Sequence, residues 1–193
     1  MRTLVSWSSG KDSAWTLYRL RADPRYEVVG FLTTINSAAD RVAMHAVRSE
    51  LLRAQAEAAG LPLWPVPIPS PCSNEEYERA MSEAMTRAET EGIDCIAFGD
   101  LFLEDVRRYR EEKLAATRIR PIFPLWGSDT RALAKEMLAS GLRARITCVD
   151  PRVAPRSLAG CDYDPALLAD NIDPCGERGE FHTFAYAGPM FKA

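Results

Sequence analysis

The stretch Ser6-Trp7-Ser8-Ser9-Gly10-Lys11-Asp12-Ser13 carries the clearest chemistry in the chain. Small residues let a backbone wrap closely around phosphate oxygens, the hydroxyls of Ser8, Ser9 and Ser13 can donate hydrogen bonds, and Lys11 adds a positive charge. It is not a Walker A loop: the first glycine of that pattern would fall at Val5, and Asp12 follows the lysine where Ser or Thr is required. Two further groups stand out. Asp100 and Glu104, just after Gly99, could bind substrate or metal. In the tail Cys175-Gly176-Glu177-Arg178-Gly179-Glu180-Phe181-His182-Thr183, a carboxylate can bind ammonium or a cationic substrate, and a neutral imidazole can take a proton near pH 7. From spacing alone, however, Glu177, Glu180 and His182 read as polar loop residues holding a hairpin. The run Arg107-Arg108-Tyr109-Arg110 reads as a solvated helix face balanced by Glu111 and Glu112, with Arg107 a weak phosphate contact. Cys175 reads as packing, since nothing nearby lowers its thiol pKa.

These residues need elements to position them. Thr3 to Trp7 is a short apolar run, and after the Ser8-Ser9-Gly10 turn come Ala14, Leu17, Tyr18 and Leu20 at helical spacing. This is strand, tight loop, helix, and the amides of a helix N-terminus at the carboxyl end of a parallel strand make an anion site. Tyr26 to Thr34, rich in β-branched and aromatic residues, predicts a second buried strand, and Ala46 to Ala59 a helix closed by Gly60. Leu61 to Pro71 alternates prolines with Leu63, Val66 and Ile68, so as a strand it must be an edge strand. Ser73 and Glu76 form a capping-box pattern before Tyr77, Ala80, Met81, Ala84, Met85 and Ala88, whose spacing is helical and whose methionines read as core. Ile93 to Phe98 predicts a fourth strand, Glu104 to Leu114 a charged helix, Asp129 to Ser140 another, and Ala144 to Val149 a further strand. Beyond Asp150 the alternation breaks: residues 162–170 read as one short helix and 171–193 as loop with a possible closing hairpin.

Such alternation predicts an α/β fold, a doubly wound parallel sheet with right-handed crossovers. The chain has 193 residues, 47% hydrophobic and 26% charged, the proportions of one folded domain, which excludes disordered, collagenous and coiled-coil classes. A net charge of -3 offers no excess for nucleic acid. No apolar run reaches the roughly 18 residues of a membrane span, and Lys11 and Asp12 interrupt any signal-peptide core, so the expectation is a cytoplasmic protein without a membrane partner. Five widely spaced cysteines without a Cys-x-x-Cys are expected to be reduced thiols.

The loop resembles the PP-loop, Ser-Gly-Gly-Lys-Asp-Ser, of ATP pyrophosphatases that activate an acceptor as its adenylate, with Ser9 in place of the first glycine. Arg41-Val42-Ala43-Met44-His45, then Val47-Arg48, Leu51, Gln55-Ala56 and Gly60-Leu61-Pro62, are similar to the second signature of the diphthine-ammonia ligase family, with Ala46 where a glycine is usual. Gly99-Asp100-Leu101 with Glu104-Asp105 and Arg107, Pro124-Leu125-Trp126 and the tail motif extend the resemblance from Thr3 to Phe191.

The resemblance implies an adenine nucleotide alpha-hydrolase-like, Rossmann-like fold with five parallel strands and the third at an edge. It implies residues 1–150 as the PP-loop ATP-binding domain and 151–193 as a C-terminal segment completing the acceptor site rather than an independent domain. ATP would lie with Ser6, Ser8, Ser9, Gly10, Lys11, Asp12 and Ser13 around its phosphates and the backbone near Leu32 to Thr34, Thr33 among them, close to adenine, with Trp7 and Gly99 also binding it. Asp12 would act through Mg2+ or by orienting loop amides rather than by touching a phosphate oxygen. Lys11, Asp12, Glu177, Glu180 and His182 would carry catalysis, and His45, Asp100, Glu104, Gly176, Glu177 and Thr183 would bind the substrate. The implied reaction is ATP-dependent amidation with ammonia of an acceptor carboxylate on an elongation factor or a small molecule. Two alternatives remain: a PP-loop enzyme that modifies a tRNA base, against which the acidic balance counts, and a non-catalytic ATP-binding module, suggested by Ser9.

Overall fold

The computed structural model describes residues 1–38, 41–42 and 47–192. The expected strand, loop and helix open the chain: β1 (Arg2–Ser6) leads to α1 (Lys11–Arg21), β2 (Glu27–Asn36) and a two-residue strand β3 (Arg41–Val42). Then follow α2 (Ser49–Ala59), β4 (Leu63–Ile68), α3 (Asn74–Thr90), β5 (Cys95–Ala97), α4 (Glu104–Leu114), β6 (Arg120–Ile122), α5 (Thr130–Ala139), β7 (Arg143–Val149) and β8 (Phe181–Ala187). Local chemistry sets several of these boundaries. Ser73 and Glu76 complete the capping box of α3, the Asp129 carboxylate caps α5 by accepting from the Ala132 N–H, and α2 ends at Gly60 in a left-handed conformation.

Five strands run parallel in the order β4-β2-β1-β5-β6, and β3 adds an antiparallel pair at the far end of β2. Period-2 alternation splits the strand residues between two cores. Val5, Phe31 and Ala97 join Trp15 and Leu17 of α1, Leu52 of α2 and Met137 of α5 on one face, while Leu4, Leu32 and Ile96 join Met85 of α3 and Leu114 of α4 on the other. The sheet is therefore doubly wound. The proline-rich strand takes the expected edge, for β4 pairs with β2. The carbonyls of Pro62 and Ile68 accept from β2 and its extension, so Pro65 and Pro67, of opposite parity, turn their missing donors outward.

Three expectations after the fourth strand need correction. The fifth parallel strand is Arg120–Ile122, too short and too polar to show a strand pattern. The apolar run from Ala144 instead belongs to β7, which pairs antiparallel with β8 in a separate two-stranded sheet, so the tail strand finds its partner upstream rather than in a hairpin of its own. Residues 162–170 hold a single 3-10 turn at Pro165–Leu167 rather than a helix, with Pro165 following the capping Asp164. No helix among the described residues is long and apolar enough to cross a membrane.

Candidate functional site

The phosphate-loop candidate lies where β1 ends. Between Ser6 and Lys11 the chain turns through Ser9 at φ 70, a left-handed conformation that costs a non-glycine residue about 1–2 kcal/mol. Among the described residues no other non-glycine takes a positive φ. The turn is stitched locally: the Gly10 N–H faces Ser8 Oγ at 3.4 Å, and Ser13 Oγ lies 3.3 Å from Ser8 Oγ and donates to the Gly10 carbonyl at 3.0 Å. Gly99, following β5, comes so close that a Cβ there would meet the Asp12 carbonyl carbon at 3.1 Å and the Ser13 nitrogen at 3.3 Å. Only glycine lets the β5 loop lie against the first turn of α1.

From the other side comes β8. Thr183 Oγ1 accepts from the Lys11 N–H at 3.1 Å, and the Ala185 N–H donates to the Ser9 carbonyl at 2.9 Å. Lys11 is buried; its Nζ lies 2.8 Å from Asp12 Oδ2, donates to the Cys175 carbonyl, and sits 5.5 Å from the ring centroids of both Tyr163 and Phe181. Burial works against that charge, but Asp12, with Asp173 behind it, outweighs burial and raises the ammonium above its ordinary pKa, so Lys11 is charged. Burial pushes the neighbouring Cys175 thiol up to about 12, which leaves it an inert packing group.

The result is a cavity of about 260 Å³ that gathers three distant segments: Ser6, Ser8 and Gly10 to Ser13 of the loop, Gly99 and Asp100 after β5, and Gly176, Glu177, His182 and Thr183 of the tail. It meets a larger cavity of about 800 Å³, which reaches Trp7 and Thr33 and runs between α3 and α4; Ser6, Ser8, Phe98 and Arg110 line both. Together they span the loop and the backbone around Leu32 to Thr34.

Not every expected residue is brought there. Ser9 is fully buried and its hydroxyl finds no partner, so it offers the cavity no donor. Glu104 is exposed at the start of α4 and lines neither cavity. Glu180 turns inward, its carboxylate accepting from the Asp173 N–H at 3.3 Å and the Arg178 N–H at 3.0 Å, which is a loop-holding role. His45 lies outside the described residues.

Glu177, three residues earlier, faces the cavity. Its Oε1 accepts from the Leu101 N–H at 2.7 Å and its own N–H donates to Asp173 Oδ2 at 2.9 Å. Burial, helped by repulsion from Asp12 and Asp100, lifts its pKa to about 7 against the pull of the Leu101 and Phe102 amides. Burial and then the Lys11 charge lower His182, so its imidazole is neutral at pH 7.

Arg110, part of the basic run, and Gln55, part of the second signature, carry no role of their own in the sequence reading. Arg110 pairs with Asp100 through Nε at 2.5 Å and Nη2 at 3.1 Å, and its guanidinium lies 4.4 Å from the Phe98 centroid. It had merged into an apparently solvated basic run; the one signal was its place one turn beyond Arg107 on the side of α4 nearest Asp100. Arg107 instead stacks over Phe123 and Trp126 and pairs with Glu111.

A doubly wound parallel sheet whose first strand feeds such a turn into a helix, with the cavity at the carboxyl ends of the strands, defines a Rossmann-like nucleotide-binding domain of the PP-loop class. The chain belongs to the family described as diphthamide synthase N-terminal domain, whose model matches residues 1–117. It is similar to proteins named diphthine–ammonia ligase: 28% identical to one from Danio rerio over 216 residues, covering 100% of this chain and 84% of that protein. With those from Rattus norvegicus and Homo sapiens the identity is 26%, again across 100% of this chain and 81% of theirs. The family and these relatives make the chain an ATP-dependent ligase. The family match stops before the tail motif, and the similarity to the ligases runs through it.

Proposed function

We propose that the protein adenylates an acceptor carboxylate with ATP and transfers ammonia to it, as a diphthine–ammonia ligase, with residues 1–150 holding ATP and 151–193 completing the acceptor side. The observation that carries this reading is the convergence of Lys11 and Asp12, Gly99 and Asp100, and Glu177 and His182 on one cavity. ATP lies with its phosphates over Ser8 to Ser13 and its adenosine in the larger cavity near Thr33. An acceptor carboxylate oxygen attacks the α-phosphorus, the bond to the bridging oxygen of the β-phosphate breaks, and pyrophosphate leaves with that electron pair. Such a step needs charge neutralisation more than covalent help. Lys11 supplies it from the loop, and Arg110, at the junction of the two cavities, supplies it on the far side once Asp100 releases it.

Asp12 and Asp100, each paired here with a cation, Lys11 and Arg110, would be the carboxylates to hold a magnesium ion once those cations turn to phosphate, since such an ion needs only one or two protein carboxylates. Bound there, it would supply positive charge beside the phosphates. In the second half, ammonia nitrogen attacks the acyl carbon, AMP departs, and the proton shed by nitrogen passes to ionised Glu177 or neutral His182. A Glu177 pKa near 7 suits both holding ammonium and accepting that proton.

The acceptor is tested by exchange of labelled pyrophosphate into ATP with magnesium, offering in turn an elongation factor bearing an unamidated carboxylate and a small-molecule fraction. Exchange with the former is expected. Exchange with metabolites alone would keep the chemistry and change the substrate, and ATP binding without exchange under either would favour a non-catalytic module.

A further inference from the structure

We propose that Gln55 is a positioning residue for the phosphate loop, holding Ser9 in its left-handed turn. Ser9 cannot hold itself there: its side chain is buried, its hydroxyl finds no partner, and φ 70 is a conformation L-residues avoid. What fixes the turn is its carbonyl, which accepts from the Ala185 N–H at 2.9 Å and from Gln55 Nε2 at 3.0 Å. Gln55 reaches this point from α2, more than one element away in sequence, and is buried.

Its amide is committed on every side. Oε1 accepts from Trp7 Nε1 at 2.9 Å, and Nε2 donates to the Ala185 carbonyl at 2.6 Å as well as to Ser9. The Trp7 indole can only donate, so it fixes which end of the amide faces Ser9. A single planar group thus ties the residue before the turn, the turn itself and β8. Gln55 lines neither cavity, so its effect on a ligand passes through the backbone of Ser9 and Gly10 to the Lys11 amide and side chain. Without this clamp Ser9 would relax toward negative φ, and the Lys11 amide would be drawn off Thr183 Oγ1, shifting the residues that line the cavity.

The inference rests on reading the loop as the ATP phosphate cradle. Its test therefore uses two readouts, ATP affinity and hydrogen exchange at the Lys11 and Ala185 amides, in Gln55→Met, Ser9→Gly and the double variant. Gln55→Met is expected to weaken ATP binding about tenfold and to speed exchange at both amides. Glycine takes the left-handed turn unaided, so Ser9→Gly in the same chain is expected to restore ATP affinity to within about threefold of wild type. A general loss of stability would not be repaired this way. A double variant as weak as Gln55→Met, or a folded Gln55→Met that keeps wild-type affinity and exchange, would overturn the proposal. Should Gln55→Met not fold, the double variant is compared with Ser9→Gly: equal affinity supports the proposal and a tenfold deficit overturns it. If wild-type protein does not bind ATP, amide exchange still decides the role of Gln55, and the ATP reading alone fails.

Discussion

The two walls of the small cavity are built on different terms. On the loop wall residue type and place agree: Ser8, Gly10, Lys11, Asp12 and Ser13 all line the cavity, stitched to one another by short-range bonds and anchored through Ser9 and Lys11 to Gln55 and β8. On the tail wall two glutamates three residues apart part company. Glu177 faces the cavity with a pKa near 7, and Glu180 is sealed inside on two amides. Gly176 and Gly179, at φ 68 and 85, turn the chain just before each of them, and a Cβ on Gly176 would meet the Phe181 carbonyl at 2.9 Å. The loop brings consecutive residues to the cavity together, whereas a tail that completes a site depends on where each side chain is pointed.

The difference can be broken at either wall. Lys11→Ala removes the charge on the loop side and is expected to lower ATP turnover by about 10²–10³-fold, the usual scale for one preorganised electrostatic group; initial rates of AMP release check it. Glu180→Ala should act on the fold instead. Removing the acceptor of two loop amides is expected to cost about 1–3 kcal/mol, read from the denaturant midpoint. Glu180→Gln should recover part of that cost, a pattern not expected of a group that binds substrate directly.

Titration sharpens the contrast. If ionised Glu177 serves the ammonia step, amide formation at constant free ammonia should rise through pH 7, being roughly tenfold below its high-pH plateau at one unit under the Glu177 pKa, and the limb should vanish in Glu177→Gln. His182, shifted down by burial, would place its own limb at lower pH than Glu177. Unfolding does not supply the limb either. A carboxyl whose folded pKa is raised contributes stability that is full below its unfolded value and lost as pH rises through 7, opposite in direction to the rate. The smallest effect is expected at Arg110→Ala, a several-fold rise in the KM for ATP with stability little changed, since the guanidinium is partly exposed on α4.

Much of the frame was legible because its signals are local. The capping box, the Asp129 cap, Gly60 and the edge prolines each act within a few residues, and the helices they mark stand where expected. Arg120–Ile122 was not, since three residues with a charge and a proline carry no strand period; parallel pairing with β5 makes it a strand. The apolar run at Ala144 was legible as a strand and not as a member of the second sheet, because its partner β8 lies beyond a long irregular segment. At the site, the loop and Gly99 could be read from residue types. The separation of Glu177 from Glu180 and the reach of Gln55 and Arg110 could not, for each depends on tertiary direction.

The most direct test of the divided site compares ATP affinity, measured by calorimetry, with amide yield in Glu177→Gln and Lys11→Ala. Glu177→Gln should bind ATP within about threefold of wild type and form amide only at a low residual rate, whereas Lys11→Ala should lose both. Equal loss of ATP affinity in the two variants would contradict the account, for the tail carboxylate would then belong to the nucleotide and not to the acceptor.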